Sequence, residues 1–412
     1  MQSSGVKFLR PPKCPSSRPS HQEAFDHMFQ NLRSNFRFGS FLPTCFPKKK
    51  IAFLKTHKCA SSTVQNILFR FGEAHGLKFV LPLSGNYLGR SQHFERRMVE
   101  TAPWHHLGYD IFAMHTMWNT TEVRASLGQS TDIFVISIIR DPVDLFESLY
   151  SFAQWDRLFR MDITKFAQVI NFKTNRSTDF LPVGGYTGHN QMLHDFGLPD
   201  PNTSDISMVK AKIREIEQDF DLIMVAEQMD ESLVLLKNML CWNLQDVSSL
   251  PLNERQDHFR RELAPETRML LRQWLWADQM LYDYFLYVFN LKKMQFGENL
   301  LQAETSKLKA LNMEIKKDCS VTEGNYKTLK ADFKPSSIRV KGFFVSNRSQ
   351  ECMRLARSEL AYIDILRLKQ SHMAESNKSI QQRNEHINIH ENSGFLHTDV
   401  KNCIKDKRDE IN

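Results

Sequence analysis

The chain has no apolar run approaching the roughly 20 residues that span a bilayer, and Met1–Ser20 lacks the apolar centre of a signal peptide. Nothing visible in it is therefore expected to carry it across a membrane. It also lacks a long basic run. No stretch of Lys and Arg exceeds Lys48-Lys49-Lys50, and no aromatic stacking motif accompanies that one, so nucleic acid is not an expected partner. The seven cysteines, at 14, 45, 59, 241, 319, 352 and 403, are too dispersed for a zinc signature or a small disulfide framework. Their odd number leaves at least one thiol unpaired within the chain. No cluster has metal-ligand spacing, so no metal is expected to be required.

What is present is an ordinary globular composition: 412 residues, 41% hydrophobic and 25% charged, enough for one large α/β domain with extensions. The net charge of +7 suits anionic small molecules or a membrane surface. Five Asn-X-Ser/Thr sequons, at Asn119, Asn175, Asn202, Asn347 and Asn377, lean mildly toward a secretory compartment.

Residues 1–48 are rich in Pro, Ser, Arg and Phe without a period and read as an irregular extension. Residues 49–370 carry the folded domain, its helical C-terminal part over about 265–370. Residues 371–412, polar and aperiodic, read as a disordered tail. Within the domain, Ile51-Ala52-Phe53-Leu54 is a short apolar run typical of a buried parallel strand. After it Val64, Ile67, Leu68 and Phe71 fall at helical spacing, and Gly72 and Gly76 offer places to stop that helix. Ile133–Ile139 is the strongest strand, ending at Arg140-Asp141-Pro142, where Asp141 can cap and Pro142 open a helix to about Ala153. A third strand, Leu222–Ala226, leads into a helix carrying Leu233, Leu236 and Leu240. Longer helices are expected over about Pro265–Phe289 and Glu351–Gln370. Strand-then-helix units repeated in this way predict an α/β fold, a central parallel β-sheet flanked by helices.

Two junctions carry chemistry. Lys55-Thr56-His57-Lys58-Cys59-Ala60-Ser61-Ser62-Thr63 lies between a strand and a helix N-terminus, where unpaired N–H groups and the helix dipole favour an anion. A nucleotide triphosphatase loop needs glycines, and none occurs between Ile51 and Phe71, which counts against a nucleotide kinase. At the second junction Arg140 offers a planar fork suited to phosphate, and Ser148 lies two turns on along the following helix.

The first segment resembles the 5′-phosphosulfate loop of sulfotransferases, and in particular the galactose 3-O-sulfotransferase family, whose pattern is Lys-Thr-His-Lys-x-Ala-Ser-Ser-Thr after a strand. Cys59 stands where Thr is common. The run Ile139–Ser148 resembles the family's 3′-phosphate site. The resemblance covers about residues 49–370 and implies a P-loop-like sulfotransferase fold. It implies transfer of the sulfuryl group of 3′-phosphoadenosine 5′-phosphosulfate, without metal, to the 3-hydroxyl of galactose on a glycolipid or glycan. Lys55, Thr56, Cys59, Ala60, Ser61, Ser62, Thr63, Arg140 and Ser148 would then bind the donor, with Arg255 of Leu252-Asn253-Glu254-Arg255 closing over it. Lys58 would stabilise the leaving group. His115, after the apolar run Ile111–Met114, is the expected general base and His57 its rival. Gly184, Gly185, Tyr186, His189 and Asn190 resemble an acceptor segment. Members of this family are membrane-anchored in the Golgi, so a lumenal Golgi location is expected although no anchor is visible. Two alternatives share the donor site: a sulfotransferase for another sugar hydroxyl, such as that of a uronic acid, and a non-catalytic nucleotide-binding protein.

Overall fold

The computed structural model describes residues 45–381 except 90, 91, 129, 173–187, 201, 202 and 325. The first strand, β1 (Ile51–Leu54), is fully buried along its length, and helix α1 (Ser61–Ala74) follows it. Two more strands come next, β2 (Phe79–Val80) and β3 (Ile111–Met114), then β4 (Phe134–Ile139) with helix α2 (Pro142–Phe152). Helix α3 (Gln191–Asp195), strand β5 (Leu222–Val225) and helix α4 (Met229–Leu240) complete the sheet layer. All five strands are parallel, in the order β2-β3-β1-β4-β5. Strands buried on both faces are apolar nearly throughout, which is why β1, β4 and β5 read as continuous runs rather than alternations; the one polar residue, Ser137 of β4, donates its hydroxyl to the Leu54 carbonyl of β1.

The chain leaves β1 toward β3 and leaves β4 toward β5, so the strand order reverses at the β1–β4 pair. A crevice opens there, at the carboxyl ends of the strands, where α/β sheets bind ligands. Asp141 caps α2 as its position suggests, accepting from the N–H groups of Val143 and Asp144 with Pro142 at the first turn. Gly72 does not stop α1. It lies inside the helix because Phe79 packs onto it, and a Cβ there would sit 2.3 Å from the Phe79 ring. Gly76, at φ 65°, follows the true end.

The C-terminal part contains α5 (Pro265–Trp274), α6 (Trp276–Phe296) and α7 (Glu298–Asp318), an antiparallel hairpin of β6 (Val321–Gly324) and β7 (Gly342–Val345), α8 (Gln350–Ala356) and a last helix over 359–381, α9. The single helix expected over 265–289 is thus two, parted at Leu275. The one expected over 351–370 is parted at Arg357 and Ser358 and runs on to Gln381, past the point where a tail was expected. Gln370 ties this helix to the sheet: its amide bonds both the N–H and the carbonyl of Phe79 on the edge strand β2. No helix among the described residues is long and apolar enough to cross a membrane.

Two disulfides link Cys45 to Cys241 and Cys319 to Cys352, and Cys59 is a buried free thiol. The second closes a 33-residue separation and ties the end of α7 to α8. Replacing Cys319 and Cys352 by Ser is expected to lower stability by about 3 kcal/mol, through the unfolded chain's regained freedom. Urea unfolding of the double variant, beside wild type with and without reductant, measures it.

Candidate active site

The crevice deepens into a cavity of about 1250 Å³ lined by residues from both junctions, including Lys55, His57, Lys58, Ser61, Ser62, Thr63, Arg140 and Ser148. The junctions touch: an Nη of Arg140 donates to the Lys58 carbonyl at 3.0 Å. The two expected phosphate sites therefore share one space, wide enough for a nucleotide.

The loop after β1 turns through two left-handed residues, Lys58 (φ 56°) and Ala60 (φ 58°), before α1 begins. No side chain caps α1, and its first residues, Ser61 to Thr63, line the cavity with the helix dipole behind them. The Ser61 and Thr63 hydroxyls donate to the Thr56 and Leu250 carbonyls, while the Ser62 hydroxyl donates to Glu359 at 3.4 Å and accepts from Asn253 at 3.3 Å, both residues of the cavity wall. Thr56 and Cys59 contribute no side chain to the cavity. The Thr56 hydroxyl donates to the Ile138 carbonyl, tying the loop to β4, and the Cys59 thiol donates to the His57 carbonyl. Burial pushes that thiol's pKa well up, so it stays uncharged.

The Lys58 ammonium lies 3.8 Å from the centre of the Phe152 ring. Burial first, then the positive charges of Arg140, Lys55 and Arg255, push its pKa down to about 7. So many cations gathered without a matching carboxylate at Lys58 is the signature of an anion site. Arg255 also lines the cavity, but its guanidinium forks onto the Glu147 carboxylate, so it is positioned by that pair rather than swinging freely over a ligand.

The histidines occupy different settings. His115, at the end of β3, has its Nε2 2.7 Å from the Lys55 ammonium, while its Nδ1 is buried without a partner. Burial, then the charges of Lys55 and His57, hold its pKa well below the usual imidazole value. It is neutral, but the lone pair that a base needs is already bonded to a lysine. His57 has a carboxylate on one nitrogen and a neutral hydroxyl, not a cation, on the other. Its Nδ1 donates to Asp195 at 2.8 Å, and its Nε2 faces the Tyr87 hydroxyl at 3.0 Å. Asp195 also accepts from the His57 backbone N–H at 2.7 Å and from Gln191 at 2.9 Å. The rings of His57 and His115 stack at 4.2 Å, with Tyr87 against His115 at 5.1 Å. Lys55, 2% exposed and expected on the donor, lies instead between His115 and Glu359, 3.1 Å from the latter.

Of the expected acceptor segment, Gly184, Gly185 and Tyr186 lie outside the described residues. His189 and Asn190 do not line the cavity. The His189 Nε2 bonds the Trp274 carbonyl, and the fully buried Asn190 accepts from the Asp278 N–H. Asp278 in turn accepts from the first N–H groups of α3, and burial pushes its pKa up to about 7. This segment builds the platform that presents Asp195. Sequence reasoning missed Asp195, Tyr87, Asn86 and Glu359, single polar residues far along the chain from the loop they serve. Among the described residues no group of three or more His, Cys, Asp or Glu side chains is placed to hold a metal ion.

A galactose-3-O-sulfotransferase family model matches residues 12–370. Galactosylceramide sulfotransferase of Bos taurus is 33% identical over 286 residues, 67% of this chain and 65% of that protein. Galactose-3-O-sulfotransferase 2 of Sus scrofa is 31% identical over 341 residues, 77% of this chain and 83% of that protein. Galactose-3-O-sulfotransferase 4 of Homo sapiens is 28% identical over 451 aligned positions, covering 88% and 87% of the two chains. The match thus spans just under two thirds of the bovine protein and most of the other two. With the matched region enclosing every strand of the sheet and both junction loops, the chain belongs to the galactose-3-O-sulfotransferase family.

Proposed function

We propose that the chain transfers the sulfuryl group of 3′-phosphoadenosine 5′-phosphosulfate to the 3-hydroxyl of a galactose on a glycolipid or glycan, in an oxidising lumen such as that of the Golgi. The observation that carries the reading is the meeting of two cationic junctions in one cavity, Arg140 bonded to the Lys58 carbonyl. The relatives' names support the acceptor sugar, and the two disulfides support the compartment.

In this reading the amides at the start of α1, Ser62 and Lys58 hold the phosphosulfate, and Arg140 with Ser148 holds the 3′-phosphate. His57 is the base. Asp195 fixes the tautomer whose Nε2 lone pair accepts from Tyr87; the acceptor hydroxyl takes the place of the Tyr87 hydroxyl there, and its proton passes to that atom as its oxygen bonds to sulfur. The bond from sulfur to the bridging phosphate oxygen breaks, and Lys58 stabilises the charge that grows there. His115 takes the base role only if Lys55 releases its lone pair. The side chains supply the positive charge that a metal would otherwise provide, so chelator is expected to leave transfer unchanged. A non-catalytic nucleotide binder would have no use for the oriented Asp195–His57 pair.

The lowered pKa of Lys58 gives a signed pH dependence. The ammonium form binds the anion, and raising the pH through about 7 removes that proton from the free protein. Affinity for adenosine 3′,5′-bisphosphate is therefore expected to fall roughly 50-fold between pH 7 and pH 9, with proton uptake on binding. Calorimetry in buffers of different ionisation enthalpy measures both quantities. A flat profile over that range contradicts the placement of Lys58 on the anion.

A further inference from the structure

One wall of the cavity plays no part in these steps. Glu359, at the start of α9, holds Lys55 with one carboxylate oxygen, which also accepts from the Ser62 hydroxyl at 3.4 Å, and its other oxygen accepts from the Asn86 amide at 2.7 Å. Two residues earlier, Arg357 is 8% exposed and lines the cavity. It makes no hydrogen bond or ion pair among the described residues, its Nε is buried without a partner, and its neighbour is the Tyr362 ring at 5.2 Å.

The sheet order says which side of the reaction this wall serves. Arg140 and Ser148 follow β4, on one side of β1, whereas His115 follows β3 on the other, with Tyr87 paired to it along the backbone. Glu359 reaches Asn86, the neighbour of Tyr87, and through Lys55 it reaches His115, so it lies beside the β3 histidines, and its contact with Ser62 at 3.4 Å puts it where the acceptor side meets the donor loop. A carboxylate there opposes the approach of any further anion. What it suits is a neutral group that both donates and accepts hydrogen bonds. A carboxylate and a guanidinium are planar, one with paired acceptors and the other with paired donors, and adjacent sugar hydroxyls match both. The Asn86 amide adds one of each, and the Tyr87 ring adds an apolar face.

We propose that Glu359, Arg357 and Asn86 form the subsite that reads the acceptor sugar, and that Glu359 selects a neutral galactoside over one bearing a carboxylate such as a uronic acid. This rests on the sugar-transfer reading given above and narrows it.

The test pairs turnover with direct binding. Transfer is measured to methyl β-galactoside and to a galactoside linked to glucuronic acid, and lactose binding is measured by calorimetry in the presence of adenosine 3′,5′-bisphosphate. Glu359→Gln is expected to raise the galactoside KM and the lactose Kd about tenfold, and to shrink the preference for the neutral acceptor about fivefold or more. The Kd of the bisphosphate should stay within about twofold. Arg357→Gln should weaken lactose about tenfold as well. Thermal unfolding checks the fold, and Glu359→Asp, which keeps the charge but shortens the reach, should also weaken lactose if the Gln variant melts early. Unchanged acceptor constants, or a wild-type preference for the glucuronide, overturn the assignment. So does tighter bisphosphate binding with lactose unaffected, which would make Glu359 only the counter-charge of Lys55. A wild-type protein that binds both ligands with these variant effects yet transfers nothing supports the subsite and defeats the proposed reaction.

Discussion

Lys58→Ala is expected to lower kcat/KM for sulfate transfer by roughly 10³-fold, the scale seen when a charge-stabilising donor is removed from a water-poor site. The ammonium lies on Phe152 at the mouth of α1, and its depressed pKa marks it as a charge the free protein holds at a penalty. That penalty is relieved when an anion arrives, most of all when charge concentrates on the departing oxygen. The loss should therefore fall chiefly on kcat. Arg140→Ala should act differently, raising the donor KM by roughly 10²-fold by removing a forked phosphate contact. Arg140 also holds the Lys58 carbonyl, so some fall in kcat should accompany it. Steady-state kinetics with radiolabelled donor separates the two. Near wild-type activity in the Lys58 variant would end the case for this loop as the reaction centre.

His57→Ala comes next in size, with an expected fall in kcat of roughly 10²–10⁴-fold. Asp195→Asn should retain part of that activity, about 10²-fold down, because the ring then loses its fixed tautomer while the base itself remains. His115→Asn should cost only about tenfold, as the loss of a stacked ring and a lysine partner rather than of the base. The reverse order, with His115 the more damaging, would return the base role to the residue the sequence favours. The three variants measured together at saturating donor decide between the rings.

The strands and the two junctions are legible in the sequence because they obey local rules. Ile51–Leu54, Phe134–Ile139 and Leu222–Val225 are buried on both faces, and a buried parallel strand is apolar nearly throughout. The loop at Lys55 and the Arg140–Ser148 pair each lie within one junction, so a resemblance to short family segments is enough to single them out. The rest of the site comes from long-range closure, to which period and spacing are blind. Asp195 reaches His57 across 138 residues, and Glu359 reaches Lys55 across 304. Neither is distinguishable from other acidic residues before the sheet brings it home. The helix breaks at Leu275 and at Arg357–Ser358 carry no Pro or Gly, so no local signal announces them. The backbone at Arg357 is extended, φ −61° and ψ 134°, because the Ser358 N–H is drawn to the Asp332 carbonyl. Disulfide connectivity, too, is undetermined by cysteine spacing.

The loop after β1 bends through Lys58 and Ala60, both in the left-handed region that favours glycine. Each carries about 1 kcal/mol of backbone strain there. A search for phosphate-gripping turns by their glycine spacing would pass over this one, although in the proposed reaction its curl serves the same end. The information is held in the shape of the main chain, and the alphabet that spells it is wider than the usual signature admits.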